Sequence, residues 1–338
     1  MLSSSIKSLD DIRNLLKSLP SQDKVALSKA TIREPQLTKP PGSLGRLEKI
    51  SHWLAAWQGR HPPQIKSARA QVFAGNHGIA QKGVSAYPSA VTEQMVGNFL
   101  SGGAAINQLC KTFDIDLKVD AIDLDNPTTD FSEGPAMTES ETLKSICFGM
   151  DKVDETLDIL CLGEMGIGNT TSAAAICYAL YGGSANDWTG PGTGIEGEAI
   201  IAKTQIVDEA VKAHNYNDGL DILMCLGGRE FAAIVGAIIA ARQKSVPVML
   251  DGFVCTAAAS VLESTFLGSL DHCLVGHASS EPGHRLLLKR IKKIPLLDFE
   301  MRLGEASGAA LAVSILKAAV SCHNGMATFT EAGVSNKD

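Results

Sequence analysis

Near the end of the chain, Glu305 in Arg302-Leu303-Gly304-Glu305-Ala306-Ser307-Gly308 is surrounded by Gly, Ala, Ser and Leu, a small-residue setting unusual for a mere surface carboxylate. A glutamate in that setting could take a proton from a bound molecule as a general base. It could equally be a helix-starting glutamate favoured by the helix dipole. Two glycine clusters suit anions. In Gly163-Glu164-Met165-Gly166-Ile167-Gly168-Asn169-Thr170-Thr171-Ser172, free backbone N–H groups and hydroxyls stand at a helix start, as a phosphate site or a plain Ser/Thr cap requires. In Gly190-Pro191-Gly192-Thr193-Gly194-Ile195-Glu196-Gly197 the spacing fits the dinucleotide fingerprint, yet no strand precedes it. A phosphate-contacting loop fits better, with Lys203 on the following helix as its cation.

Other polar loops accompany these. Gly75-Asn76-His77-Gly78 and Gly83-Val84-Ser85-Ala86-Tyr87-Pro88 lie before a helix expected to start near Ser89. They read as a binding loop or as a structural one. His277 and His284 have no cysteine or third histidine at ligand spacing, so capping or surface histidines are expected there.

These loops need a scaffold whose strands all deliver them to one side. Apolar runs at 70–75, 117–123, 158–163, 221–227, 246–251 and 272–276 each end in glycine or aspartate or lead into an Ala-rich stretch of helical spacing. Continuous rather than alternating apolar runs predict strands buried on both faces of a parallel sheet. The ends differ. Leu9, Ile12, Leu15 and Leu16 form one helical stripe, and Leu44, Leu47, Ile50, Leu54 and Trp57 another. One Ala-rich helix is expected from Glu305 to Ser321. The fold class is therefore α/β: a Rossmann-like parallel sheet with helices on both faces, plus a small helical domain from the N- and C-terminal segments. The boundaries expected are 1–65 with 300–338 for the helical part and 66–299 for the α/β part.

Composition narrows the function. The 338 residues are 45% hydrophobic and 20% charged, the range of an ordinary folded domain. With aromatics at 5%, the core must be aliphatic. The 32 glycines exceed the usual share of roughly 7% and suggest close backbone–ligand approach. A net charge of -7 without a long basic run excludes a typical nucleic-acid binder. Eight cysteines with no CxxC pair, several inside apolar runs, predict buried thiols in a reducing compartment. The first residues lack a signal peptide's apolar core, and no run of about 18 apolar residues predicts a membrane span. A cytoplasmic location is the expectation.

Taken in order, the loops closely resemble the nicotinate-nucleotide:dimethylbenzimidazole phosphoribosyltransferase family. The likeness runs from Thr38-Lys39-Pro40-Pro41-Gly42-Ser43-Leu44-Gly45-Arg46-Leu47-Glu48 to the last helix, with Gly75–Gly78, Gly163–Thr171, Gly190–Gly194 and Arg302–Glu305 its most specific parts. The resemblance implies transfer of phosphoribose from nicotinate mononucleotide to 5,6-dimethylbenzimidazole, with inversion at C1′, in cobalamin biosynthesis. It implies that Glu305 is the general base, Glu164 a second active-site carboxylate and Lys203 an active-site lysine. Gly166, Gly168, Thr170, Thr171, Gly192 and Gly194 would shape the mononucleotide site. Ser85, Tyr87, Gln94 and Leu303 would line the benzimidazole pocket, with Arg302 beside them. The family resemblance further implies a homodimer that needs no metal or other cofactor.

Overall fold

Five of the six apolar runs form strands, and all five are parallel. In the computed structural model, which describes residues 2–335, they are β1 (Ala68–Ala74), β2 (Asp116–Ala121), β3 (Ile159–Met165), β4 (Val248–Leu250) and β5 (Cys273–Val275). Their order across the sheet is β2-β1-β3-β4-β5. Val72 lies opposite Val119 on one side and Gly163 on the other, and Val248 lies between Leu160 and Cys273. In this order the chain reverses direction of winding between β1 and β3.

Successive strand residues face opposite sides, and each side has its own core. Phe73, Leu160, Leu162, Val248 and Leu250 join one core with helices Asn169–Tyr181, Arg229–Gln243 and Phe253–Thr265. Val72, Ile159, Cys161 and Met249 join the other with helices Arg46–Gln58, Ala105–Phe113 and Ser307–Gly325. Helices from both ends of the chain thus pack together over one face of the sheet. Helix Leu9–Leu16 buries Leu9, Ile12 and Leu16 in the first core, and Arg13 binds Asp218 and Asp221 at 2.7 and 2.6 Å.

Small residues replace the missing aromatics. Helices Glu139–Asp151 and Arg229–Gln243 cross in backbone contact: a Cβ on Gly149 would lie 1.9 Å from the Ala233 carbonyl, and one on Gly236 1.9 Å from that of Ile146. Dense aliphatic packing of this kind supplies about 1.5–3 kcal/mol for each fully buried Leu, Ile or Val. Six cysteines are buried in it and Cys147 and Cys322 are half-buried; all eight are free thiols.

The run 221–227 is not a strand. It lies in helix Gly219–Leu226, whose cap is Asp218: the carboxylate accepts the N–H groups of Leu220 and Asp221 at 2.9 and 3.1 Å. Leu220, Leu223 and Leu226 recur every three residues and are fully buried. A short apolar run that is mostly buried does not by itself separate helix from strand; the Asp cap was the signal that distinguished it. Among the described residues no helix is long and apolar enough to cross a membrane.

Candidate active site

The sheet delivers its chemistry to a cavity of about 480 Å³ beyond the carboxyl ends of β3, β4 and β5. That volume is in the range of small-molecule sites. Glu164, near the end of β3, and Glu305, just before helix Ser307–Gly325, both line it. The backbone between them is unusual. Gly304, Glu305 and Ala306 have φ of 85°, 63° and 62°, three successive left-handed residues. The left-handed region costs an L-residue roughly 1–2 kcal/mol, so the packing around Glu305 must hold it there. Gly304 must be glycine for a second reason: its Cβ would stand 2.7 Å from Glu164 Oε1.

The carboxylates are shielded from water. Glu305 is 5% exposed, and its Oε2 has no hydrogen-bond partner. Burial pushes its carboxyl up to about 7, and the nearby charge of Asp251 adds to the rise. Burial also raises Glu164 well above the usual range, helped by Asp251 and Glu230, while a hydrogen bond from the Asn169 amide opposes it. Asp251 ends β4, is fully buried, and accepts the Ala309 N–H at 2.9 Å.

A buried cation stands behind the Thr170–Gly192 wall, off the cavity lining itself. Lys203 is 1% exposed, and its ammonium donates to Thr170 Oγ1 at 3.0 Å and the Gly190 carbonyl at 3.1 Å. Burial pulls it down to about 8, against the opposing charge of Glu281. Gly192, at φ 54°, allows this approach: a Cβ there would lie 2.5 Å from Thr170 Oγ1 and 3.1 Å from Lys203 Nζ. The Gly192 loop is fixed from two sides. Its N–H donates to Glu281 Oε1 at 3.0 Å, and its carbonyl accepts from Arg302 Nη1 at 2.8 Å.

Most residues singled out in the sequence meet here. Glu164, Gly166, Thr170, Gly192, Arg302, Leu303, Glu305 and Tyr87 line the cavity. Tyr87 and Leu303 are 55% and 54% exposed and form its mouth. Ser85 reaches the rim through Thr193, its Oγ 2.8 Å from Thr193 Oγ1. Gly168, at φ 98°, caps helix Asn169–Tyr181 behind the wall. Thr171 is fully buried there, and Gly194 is exposed in its loop. Gln94 is exposed on helix Ala90–Leu100, off the cavity wall.

The structure adds Asn169, Asp251, His277 and Glu281. His277 and His284 are not capping or surface histidines; both are fully buried. His277 lines the cavity with Nε2 3.6 Å from Asp251 Oδ1, and His284 Nδ1 accepts the Ser279 N–H at 2.8 Å. The available sequence signals were Glu281 immediately before a helix-starting Pro282 and Asp251 at a strand end. The Gly75–Gly78 loop has a structural task beside the site. His77 is buried against Glu230 and Ser172, and a Cβ on Gly75 or Gly228 would strike that pair.

The phosphoribosyltransferase family profile matches residues 19–334. The nicotinate-nucleotide–dimethylbenzimidazole phosphoribosyltransferase of Rhizobium meliloti (strain 1021) is 54% identical over 331 residues, 97% of this chain and 98% of the relative. This chain belongs to that phosphoribosyltransferase family. A relative of the same name from Ruegeria sp. (strain TM1040) is 53% identical over 98% of both chains. Among solved structures, CobT from Thermus thermophilus matches with a TM-score of 0.87 at 39% identity, covering 93% of this phosphoribosyltransferase and all of that chain. The sheet and helices above are thus the family's α/β fold.

Proposed function

We propose that this chain transfers the phosphoribosyl group of nicotinate mononucleotide to 5,6-dimethylbenzimidazole, giving α-ribazole 5′-phosphate and nicotinate for cobalamin synthesis. The observation that carries the reading is Glu305: a cavity carboxylate, nearly dry, with one oxygen free of hydrogen bonds and an affinity for protons near neutrality. The relatives' names supply the substrates.

The pyridine nitrogen of the donor is already cationic and leaves as a neutral ring, so departure needs no general acid. One benzimidazole nitrogen attacks C1′ from the opposite face as the C1′–pyridinium bond breaks, which inverts the anomeric centre. The second nitrogen must then lose its proton, or a cation is stranded in a dry cavity. Glu305 takes that proton and later releases it to solvent. General-base help of this kind is worth about 10²–10⁴-fold, and orientation in the cavity supplies much of the rest.

The charge distribution agrees with this division of labour. The Lys203–Thr170–Gly192 side, with the Gly166–Gly168 turn at a helix N-terminus, suits the anionic mononucleotide. Glu164, on the wall it shares with Glu305, has a carboxyl whose burial favours the protonated form, which suits a hydrogen bond to a ribose hydroxyl. Tyr87 and Leu303, with Ser85 at the rim, suit a planar apolar base. We further propose that the enzyme works as a homodimer in the cytoplasm. For the division into 1–65 with 300–338 and 66–299, the packing of Arg46–Gln58 on Ser307–Gly325 speaks in favour, while helix Leu9–Leu16 packs instead into the core of the α/β part.

Incubating the purified chain with nicotinate mononucleotide and a panel of bases, with products read by mass, tests the reaction. α-Ribazole phosphate with stoichiometric nicotinate is expected, and 5,6-dimethylbenzimidazole should outcompete adenine and phenols. Absence of nicotinate release in a single turnover overturns the proposal.

A further inference from the structure

Away from the cavity, three histidines and a glutamate gather where the two ends of the chain meet. Glu34 follows helix Lys24–Arg33, His52 lies on helix Arg46–Gln58, His61 lies just beyond it, and His323 lies on helix Ser307–Gly325. A carboxylate oxygen of Glu34 and one ring nitrogen each of His52 and His323 lie within 4.8 Å of one another. Glu34 Oε2 is 2.6 Å from Nδ1 of His323 and 3.5 Å from Nε2 of His52. The other nitrogen of His323, Nε2, is 3.2 Å from Nε2 of His61. Nε2 of His52 is buried and has no hydrogen-bond partner.

We propose that Glu34 Oε2, His52 Nε2 and His323 Nδ1 bind a divalent transition-metal ion of the zinc class, with His61 holding the far nitrogen of His323. Donor atoms at about 2.0–2.2 Å from a tetrahedral ion lie roughly 3.3 Å from each other. The two measured separations from Glu34 bracket that value, so small side-chain rotations complete the site. Two imidazoles and a carboxylate select zinc, cobalt or nickel over calcium or magnesium.

The surroundings supply what such an ion needs. A ligating histidine normally donates its other N–H to a fixed acceptor, which orients the ring. Here that acceptor is His61: the proton that His323 Nδ1 shares with Glu34 moves to Nε2, and His61 adopts the opposite tautomer. Lys39 binds Glu34 through the other oxygen, Oε1, at 3.0 Å and Glu48 at 2.7 Å. Glu34 and Glu48 stand against the ammonium of Lys39 and the guanidinium of Arg33, so these charges balance before an ion binds. Arg33 is itself held by the carbonyls of His323, Asn324 and Met326. The ion would fasten residues 34 and 52 to residue 323 and so stabilise the folded chain by mass action. Ligands this far apart in sequence leave no spacing motif.

The test uses the full chain after chelator treatment and dialysis. Co²⁺ titration is expected to give d–d absorption bands saturating at one ion per chain, displaced by Zn²⁺, with a rise in Tm. His52→Asn removes a nitrogen that makes no hydrogen bond, so the metal-free variant should melt like the parent while losing both the bands and the Tm shift. His61→Asn should weaken Co²⁺ binding about 10–100-fold. Zinc-edge anomalous scattering from crystals of the unaltered chain gives an answer independent of any variant, with a peak expected between the three donor side chains. Sub-stoichiometric Co²⁺, bands that survive His52→Asn, or a peak elsewhere overturns the site.

Discussion

The backbone N–H of Glu305 donates to the backbone carbonyl of Glu164 at 3.2 Å. Main chain therefore ties the end of β3 to the turn that precedes helix Ser307–Gly325, and the two cavity carboxylates move as one wall. Gly163 makes the approach possible, since a Cβ on it would lie 2.0 Å from the Ala306 nitrogen. Backbone cannot yield as a flexible side chain can.

Gly163→Ala is therefore expected to lower stability by about 1–3 kcal/mol, the range for overpacking, and to cut kcat by displacing Glu305. Urea unfolding and steady-state kinetics read the two effects. An alanine variant with parental stability and turnover would show that the wall is not rigid.

Glu305→Gln keeps the size of the side chain and removes the base. Turnover is expected to fall about 10²–10⁴-fold while both substrates still bind. Isothermal titration with each substrate alone separates binding from chemistry. Turnover within a few-fold of the parent would remove Glu305 from the mechanism.

The same substitution has a stability consequence whose sign follows from proton binding. The folded-state value for Glu305, about 7, exceeds the usual 4.5. The unfolded chain thus gives up the proton first, and stability falls as pH rises between those values. The glutamine variant lacks this loss. Its Tm should match or exceed the parent's at pH 8, with a gain of up to about 3 kcal/mol, and the difference should shrink towards pH 4. A variant less stable at pH 8 than at pH 4, relative to the parent, contradicts the reading.

The sequence displayed five strands because each run was apolar and ended at a glycine or aspartate. It hid helix Gly219–Leu226 because a short, mostly buried apolar run reads alike as helix or strand. The site was legible where glycine and charge adjoin, as at Glu164, Gly192 and Glu305. It was illegible where a residue acts through burial alone. Asp251 looks like any strand-ending aspartate, and only the folded chain brings it near Glu305. His277 and His284 read as surface residues because nothing local announces that the fold closes over them.

Asp251→Asn tests that hidden influence. Asparagine keeps an oxygen for the Ala309 N–H, which Asp251 accepts at 2.9 Å, and removes the charge that helps raise Glu305. The acidic limb of kcat/KM against pH, expected near 7 in the parent, should move to lower pH. Activity at pH 6 should then rise relative to the plateau. An unmoved limb would mean that burial alone sets the value.

Lys203 governs the alkaline side. Its ammonium is held by Thr170 and Gly190, yet burial brings it down to about 8, so it loses its charge over the range pH 7–9. A neutral amine no longer attracts an anionic mononucleotide, whereas Glu305 becomes fully ionised across that range. The profile of kcat/KM for nicotinate mononucleotide should therefore be bell-shaped, rising through about 7 and falling through about 8. Lys203→Met should lower kcat/KM by about 10–100-fold at pH 7.5, the loss expected for hydrogen bonds to a charged group. It should also abolish the falling limb, because no titrating cation is left at that wall. The acidic limb should stay where it was, since it belongs to Glu305. A falling limb that persists in Lys203→Met would assign the alkaline loss to another group and leave Lys203 with a packing role only.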